Sequence, residues 1–143
     1  MCIFCKIINN EIPSYKVFEN DRVLAFLDAS QATIGHTLVI PKKHVANILE
    51  LDDDTASIVF KVVTQLSKQI SKNLETNDFN IINNNGELAG QTVNHFHMHI
   101  VPRYDNDGLK FNYPTNKLTV EEFNGLKEKI LEKWTAPQIL DIQ

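Results

Sequence analysis

The chain has little of what several specialised protein classes require. Its 143 residues include two cysteines, one tryptophan, five glycines and five prolines, and 14 Lys and Arg stand against 18 Asp and Glu. No cluster of Lys and Arg forms the basic stripe that nucleic acids or anionic membranes require, and no apolar run approaches the roughly 20 residues of a membrane-spanning helix. We therefore expect neither nucleic acid nor a membrane as a partner.

The first residues, MCIFCKIINNEIP, also lack the features of a secretory signal. No basic segment precedes the apolar residues, and Lys6, Asn9 and Glu11 follow too soon for a signal-peptide core. We therefore expect a cytoplasmic protein. In a reducing compartment, two cysteines three positions apart indicate thiols or metal ligands rather than a structural disulfide.

No internal repeat, linker or low-complexity tract interrupts the first 110 residues. The apolar content of 43% and charged content of 22% are typical of a globular domain. We expect one domain over residues 1–110, with a C-terminal helical extension, residues 111–143, that packs on the same domain.

The apolar pattern predicts an α+β fold. Short runs rich in β-branched and aromatic residues predict five strands, without the regular alternation of a βαβ protein: Tyr15–Glu19, Val23–Asp28, Thr37–Pro41, Phe79–Ile82 and Phe96–Val101. From Asp52 to Leu74 the apolar period becomes helical, and a second helix is predicted to start at Thr119, where Thr119 and Glu122 have the spacing of a capping box. The predicted fold is a five-stranded antiparallel sheet with one long helix and a C-terminal helix.

Three histidines in the segment NHFHMHIVPR point to a dedicated chemical site. On a strand, His95, His97 and His99 share one face, because successive side chains alternate. A rise of about 3.3 Å per residue separates the first and last Cα atoms by roughly 13 Å, too far for all three to bind one zinc. Either two of these histidines share a metal ion, or one of them binds a metal ion and the other two have a different role.

The sequence offers further ligands for the second option. Cys2 and Cys5 have the C-x2-C spacing with which two thiolates grip a tetrahedral zinc, and His44 lies apart from the triad. Two small buried residues, or a redox pair, are the alternatives. We favour structural zinc, because a redox motif of this spacing opens a helix in a βαβ context that this sequence lacks.

With these residues assembled, the sequence resembles the histidine-triad (HIT) family, in the branch of Hint-like and bacterial Hit proteins, over about residues 2–103. The matching segments are CIFCKII at the N-terminus, the strand ending in Asp28, GHTLVIPKKH from Gly35, AGQT from Ala89 and HFHMHIV from His95. The resemblance implies a HIT-like fold, a homodimer, and a hydrolase or phosphoramidase that cleaves purine nucleotides at the α-phosphate. Substrates of that class include adenosine phosphoramidate and aminoacyl-AMP.

The resemblance also implies residue roles. His97 would be the nucleophile and form a covalent nucleotidyl-histidine, with His99, His36 and Thr92 as the other catalytic residues. Asp28 would bind the ribose, Phe26 and Phe4 would line the base pocket, and Asn84 and Gln91 would surround the phosphate with Thr92. Zinc-bearing relatives imply Cys2, Cys5, His44 and His95 as ligands of a structural Zn2+, with no cofactor required for catalysis.

Three positions depart from the common pattern of the branch. Thr92 replaces Ser, Asn94 stands where an aromatic residue is common, and Asn85 stands where an acidic residue is frequent. Thr92 keeps the hydroxyl group, whereas the changes at Asn94 and Asn85 bear on the leaving group. Two alternative functions stay open: a dinucleoside polyphosphate hydrolase, and a nucleotide-binding regulatory module with vestigial activity.

Overall fold

The computed structural model describes residues 2–136, which contain one five-stranded antiparallel sheet and three α-helices. The strands, β1 to β5, are Lys16–Glu19, Val23–Leu27, Thr37–Pro41, Phe79–Ile82 and Met98–Pro102, in the sheet order β1-β2-β3-β5-β4. The helices, α1 to α3, are Ile3–Ile8, Asp53–Leu74 and Val120–Leu131. The predicted α+β class and antiparallel sheet are confirmed. None of the helices in the described residues is long and apolar enough to cross a membrane.

The central strands β2 and β3 are buried on both faces of the sheet. Val23, Ala25 and Val39 pack with Val59 and Val63 of α2. On the opposite face, alternate residues of the same strands pack with α1, forming a second apolar cluster of Phe4, Ile7, Leu24, Phe26, Leu38 and Ile40. The two helices therefore cover opposite faces of the sheet at its centre.

The long helix begins and ends close to the predicted positions. Asp52 caps its N-terminus by accepting hydrogen bonds from the backbone N–H and the hydroxyl of Thr55. Such a cap satisfies donors that the first helical turn leaves unpaired. The helix then packs its apolar stripe, including Leu66 and Ile70, against the sheet.

The sequence analysis did not predict α1. This helix has six residues, too few to show a helical period, and only Phe4 and Ile7 are buried. Cys2 caps it, because its Sγ accepts a hydrogen bond from the Cys5 backbone N–H at 3.5 Å. The C-x2-C pair therefore occupies the start of a helix whose apolar side packs on the sheet.

The last strand starts two residues later than predicted. β5 begins at Met98 and pairs with Val39 of β3, while His95, Phe96 and His97 precede it. The backbone N–H of Phe96 donates instead to the carbonyl of Val45, which lies beyond the end of β3. The three histidines therefore do not lie along one regular strand, and the His95–His97 segment is held by contacts from other parts of the chain.

The described residues fall into two compact units, divided between Leu109 and Lys110. The C-terminal unit contains α3, whose N-cap Thr119 accepts a hydrogen bond from the Glu122 backbone N–H, as predicted. Trp134 lies beyond the end of this helix rather than on it. That the extension packs on the domain stays a prediction, and its residues 137–143 lie outside the described part.

Candidate functional site

The structure brings the four predicted metal ligands together. The ligand atoms of Cys2, Cys5, His44 and His95 all lie within 4.8 Å of one another. The Nδ1 atoms of His44 and His95 are 3.1 Å apart, and Nδ1 of His95 lies 3.5 Å from Sγ of Cys2 and 3.7 Å from Sγ of Cys5. The fourth contact joins Cys5 Sγ and His44 Nδ1 at 3.4 Å.

These distances fit one tetrahedral ion. Bonds of about 2.0–2.1 Å to nitrogen and 2.3 Å to sulfur place two ligand nitrogens about 3.3 Å apart, and a nitrogen and a sulfur about 3.6 Å apart. His95 is fully buried and its Nε2–H donates to the Pro41 carbonyl at 2.8 Å. Its Nδ1 lone pair therefore faces the two sulfurs and His44, which is the protonation state that a metal ligand requires.

A second group consists of His36, His99 and Asp28. Nε2 of His36 lies 2.9 Å from Nδ1 of His99 and 3.6 Å from a carboxylate oxygen of Asp28. The backbone N–H of Ala32 donates to Nδ1 of His36, so the proton of this imidazole is on Nε2 and is donated to Nδ1 of His99. The His99 proton is consequently on Nε2, a buried atom without a hydrogen-bond partner among the described residues.

This second group is poorly suited to a metal, although its ligand atoms also lie within 4.8 Å of one another. His36 already accepts a hydrogen bond at Nδ1. Coordination through Nε2 would therefore require an imidazolate. The arrangement instead ends in a buried N–H donor on His99, which an oxygen atom of a bound ligand could satisfy.

His97 lies between the two groups. Its Nδ1–H donates to the His95 carbonyl at 2.7 Å, which leaves a lone pair on Nε2. Its ring centroid is 4.9 Å from that of His99. A hydrogen bond of this kind leaves an imidazole free to act as a nucleophile, and its acceptor is a residue of the candidate metal site.

The buried imidazoles are electrically neutral. Burial lowers the pKa of His36, His95 and His97 below the ordinary value of 6.5. It lowers the pKa of His99 to about 4, with a further contribution from the neighbouring His97 and His36. At pH 7 the site therefore holds neutral imidazoles with one N–H each, and the Nε2 lone pair of His97 is available for attack.

The predicted base-pocket residues, Phe4 and Phe26, are both buried in the apolar cluster around α1. Their ring centroids are 5.6 Å apart, with an edge-to-face contact. The Phe4 ring also lies 5.1 Å from the ring of His97. Phe4 therefore connects the apolar residues proposed for base binding with the candidate nucleophile.

Gln91, in the loop between β4 and β5, uses its side-chain amide within the protein. Gln91 donates both amide protons, to the carbonyls of Ala46 and Val93, and its oxygen accepts from the Gly86 backbone N–H. No amide proton is left for a phosphate, so Gln91 fixes the loop rather than offering a donor to an anion.

The two remaining loop residues predicted to bind the phosphate are Asn84 and Thr92. Asn84 is half-buried between β4 and the short 3-10 turn Glu87–Ala89. Thr92 is exposed and lines a cavity of about 460 Å³ together with Val93, Asn94, Ile3, Cys2 and His44. Thr92 therefore shares this cavity with Cys2 and His44 of the candidate metal site.

Sequence reasoning missed the part played by two neighbouring amides. Asn83 donates from Nδ2 to the His97 carbonyl at 2.9 Å, and Asn85 lies within hydrogen-bond distance of Asn83. In the sequence both belong to a run of three asparagines that predicts only a turn. Their spacing along the chain carries no signal for this contact, because the partner is 14 residues away.

Comparison with known proteins finds one family. The model of the HIT domain matches residues 9–106. A crystal structure of a HIT-family member from Bacillus subtilis superimposes with a TM-score of 0.89 and 45% identity, over 95% of this chain and 99% of that one.

Two further relatives carry informative names. An adenosine 5'-monophosphoramidase of Schizosaccharomyces pombe is 38% identical over 133 residues, which are 92% of this chain and 97% of the relative. A crystal structure of a zinc-bound histidine triad family protein from Mycobacterium smegmatis has 34% identity and a TM-score of 0.73, over 80% of this chain and 84% of that one.

Proposed function

Because the chain belongs to the HIT domain family, we propose that it hydrolyses purine nucleotides at the α-phosphate, with an amine as leaving group, through a covalent nucleotidyl-histidine. One pair of atoms supports this proposal most directly. The Nε2 lone pair of His97 and the buried, unpartnered Nε2–H of His99 belong to rings 4.9 Å apart. A nucleophile beside an unsatisfied donor suits attack on a phosphorus atom whose oxygens accept a hydrogen bond.

The reaction has two steps. In the first, Nε2 of His97 forms a bond to the α-phosphorus while the bond from phosphorus to the leaving nitrogen breaks, and the amine departs with a proton taken from the solvent or the site. In the second, water attacks the phosphorus and loses a proton to the solvent, the electron pair of the breaking bond returns to Nε2, and the nucleoside monophosphate leaves. His99 donates to a phosphoryl oxygen in both steps, and Asp28 binds the ribose hydroxyls.

The test combines turnover with detection of the intermediate. Wild-type protein is mixed with adenosine phosphoramidate, quenched with base within milliseconds and digested, and the His97 peptide is expected to carry an added adenylyl group. His97→Ala should lose the adduct and lower kcat by at least about 10³-fold, because no nucleophile replaces the imidazole. Asn73→Ala, at an exposed position of α2, is the matched control and should behave as wild type. Full turnover by His97→Ala would contradict the mechanism.

The same assay separates the two alternative functions. A panel of leaving groups on adenosine compares kcat/KM for the phosphoramidate, aminoacyl adenylates and dinucleoside polyphosphates. A preference of at least tenfold for dinucleoside polyphosphates would replace the proposed substrate class. Tight AMP binding without turnover of any of these compounds would identify a nucleotide-binding regulatory module.

We further propose that Cys2, Cys5, His44 and His95 hold one structural Zn2+. The distances among their ligand atoms and the Nδ1 lone pair of His95, which faces the other three ligand atoms, support this proposal. Zinc bound there would join α1 to the end of β3 and to the His95–His97 segment. A reducing, cytoplasmic setting, as expected from the sequence, would keep both thiols available.

Metal analysis tests the zinc proposal independently of activity. Wild-type protein purified without chelator is expected to contain about one zinc per chain. Cys5→Ser should lower the metal content severalfold and reduce the midpoint of thermal unfolding, since a structural ion contributes folding free energy. Lys6→Ala, at the next position of the same helix, should retain the metal. Negligible zinc in the wild-type protein would refute the assignment.

We also propose that the chain forms a homodimer through the free edge of β4. Edge strands invite pairing unless charged residues block it. β1, at the other edge of the sheet, begins with Lys16 and ends with Glu19, whereas β4 contains no charged residue. An apolar cavity of about 480 Å³ has Asn83, the residue after β4, in its lining. Its lining includes Ile48, Leu51, Phe60, Asn83, Phe96 and Met98.

A further inference from the structure

The candidate nucleophile lies on a segment that the sheet does not hold. β5 begins to pair with β3 at Met98 and with β4 at His99, so His97 precedes both pairings. Two hydrogen bonds from outside the sheet fix the backbone there. Phe96 donates its N–H to the Val45 carbonyl at 2.8 Å, and the His97 carbonyl accepts from Nδ2 of Asn83 at 2.9 Å. Asn83 directly follows β4. Where backbone pairing between β4 and β5 stops, the Asn83 side chain supplies the next hydrogen bond to the segment before β5.

The orientation of the Asn83 amide is set by a second amide. The backbone N–H of Ile48 donates to Oδ1 of Asn85 at 2.7 Å, and Nδ2 of Asn85 donates to Oδ1 of Asn83. A backbone N–H can only donate and a backbone carbonyl can only accept, so the direction of all three hydrogen bonds is fixed from both ends. The relay from Ile48 through Asn85 and Asn83 therefore presents a donor, and not an acceptor, to the His97 carbonyl.

We propose that Asn83 is a positioning residue for His97, and that Asn85 keeps Asn83 in the donating orientation. The reactive role of His97 rests on the function proposed above, whereas the position of its imidazole does not. The Nδ1–H of His97 reaches the His95 carbonyl at 2.7 Å, and that contact spans only two residues. It therefore depends on the backbone conformation between the two histidines, which the Phe96 and Asn83 hydrogen bonds fix at either end.

The neighbouring amide in this loop has a different task. Gln91 bonds to Gly86, Ala46 and Val93, which ties the loop to the segment after β3 without a bond to the triad. Asn83 makes its bond to the backbone of the candidate nucleophile itself. Loss of Gln91 is consequently expected to loosen the loop, and loss of Asn83 to move His97.

The experiment uses the full chain and two substitutions at position 83. Asn83→Leu has nearly the shape of asparagine but no polar atoms, and Asn83→Asp has the same shape but no donor. Asn73→Leu, the same exchange at an exposed position of α2, is the control. For each protein, steady-state kinetics with adenosine phosphoramidate gives kcat and KM, and NMR of ¹⁵N-labelled histidine follows the Nδ1–H resonance of His97 at a fixed neutral pH.

Both substitutions at position 83 are expected to lower kcat about tenfold and to change KM by less than about twofold, because small misplacements of a reacting group slow the chemical step. The Nδ1 proton of His97 should move upfield and exchange faster with water, since its hydrogen bond to the His95 carbonyl lengthens. Asn73→Leu should match the wild type in both measurements. Wild-type kcat in Asn83→Leu, or a lower kcat with an unchanged His97 resonance, would overturn the proposal.

A substitution at position 85 tests the relay. Asn85→Asp still accepts from Ile48 but cannot donate to Asn83, so the Asn83 amide is expected to flip and present its oxygen to the His97 carbonyl. The His97 resonance should shift as in Asn83→Asp, and the double variant Asn83→Leu with Asn85→Asp should be no slower than Asn83→Leu alone, because both changes remove the same hydrogen bond. Additive losses would overturn the relay.

The two proposals fail in distinguishable ways. Absence of turnover in the wild-type protein would refute the proposed function, while the NMR comparison of wild type and Asn83→Leu would still decide whether Asn83 positions His97.

Discussion

At the scale of single residues, the site depends on which nitrogen of each histidine carries the proton. His36 accepts at Nδ1 from Ala32 and donates from Nε2 to His99, and His97 donates from Nδ1 to a backbone carbonyl. The Ala32 N–H can only donate and the His95 carbonyl can only accept, and the Ala32 contact in turn fixes the direction of the hydrogen bond from His36 to His99. The tautomers therefore follow from the fold, and no bound ligand is needed to establish them.

His99 gives a prediction about stability and pH. Its pKa is about 4 in the folded chain against 6.5 in a model compound, so the unfolded chain binds more protons between these values. The free energy of unfolding should therefore fall as the pH drops from 6.5 towards 4, with a contribution from His99 on the order of 1 kcal/mol.

Urea unfolding at several pH values measures this contribution. His99→Gln removes the titrating group and should show a flatter pH profile over the same interval. A profile as steep as that of the wild type would mean that other groups account for the acid sensitivity.

At the scale of elements, the sequence predicted those helices and strands whose bounds depend on the local pattern of apolar and capping residues. The extent of α2, the capping of α3 by Thr119 and the strands β2 and β3 all agree with the apolar period and the cap residues. The sequence did not predict α1, because its six residues depend on packing of Phe4 and Ile7 against distant strands. It also placed the start of β5 two residues early, since alternation continues through His97 although pairing does not.

In the candidate site, too, contacts between residues distant in sequence were harder to predict than local features. The grouping of Cys2, Cys5, His44 and His95 was implied by the resemblance, and the structure brings these residues together. The saturated amide of Gln91 and the contact of Asn83 with His97 could not be read from the sequence. Both are side-chain bonds to backbone groups, and nothing in the local pattern distinguishes such a partner from solvent.

The N-terminal cap of α2 gives a prediction at this scale. Asp52 accepts two hydrogen bonds from Thr55 and lies 3.3 Å from the ammonium group of Lys43, which together hold its pKa well below the usual range. Asp52→Ala should lower the midpoint of thermal unfolding by about 4 °C at pH 7. The effect should begin to shrink only as the pH falls below the ordinary aspartate pKa of 3.8, towards the lowered pKa at which the cap carboxylate of the wild type is protonated as well. Differential scanning calorimetry measures it.

The control for the cap is its neighbour. Asp53, in the first turn of the same helix, is also exposed and acidic. If Asp53→Ala lowered the midpoint as much as Asp52→Ala, general helix-dipole electrostatics rather than the cap hydrogen bonds would explain the loss.

At the scale of the whole molecule, the two edges of the sheet differ. β1 carries charges at both ends, whereas β4 has no charged residue and presents Ile81, which is 40% exposed. An edge strand without charges favours pairing with a second copy of the same strand.

The dimer proposal predicts the effect of a charge at this edge. Ile81→Asp should convert a dimer into a monomer at protein concentrations of tens of micromolar, because two carboxylates would meet across the paired strands. Sedimentation equilibrium gives the molecular mass directly. Val17→Asp on β1 is the matched control and should leave the mass unchanged. A monomeric wild-type protein, or a dimeric Ile81→Asp, would show that β4 is not the interface.

His95 belongs both to the candidate metal site and to the hydrogen bond that orients His97, and this affects how chelation experiments are interpreted. Its Nδ1 faces the two cysteines and His44, while its carbonyl accepts the hydrogen bond that sets the tautomer of His97. An ion bound between those four residues would add to the hydrogen bonds that hold the His95–His97 segment, so its removal would loosen the backbone that orients His97. Inactivation by EDTA would therefore be expected even if the ion never touches the substrate, and would not identify it as a Lewis acid.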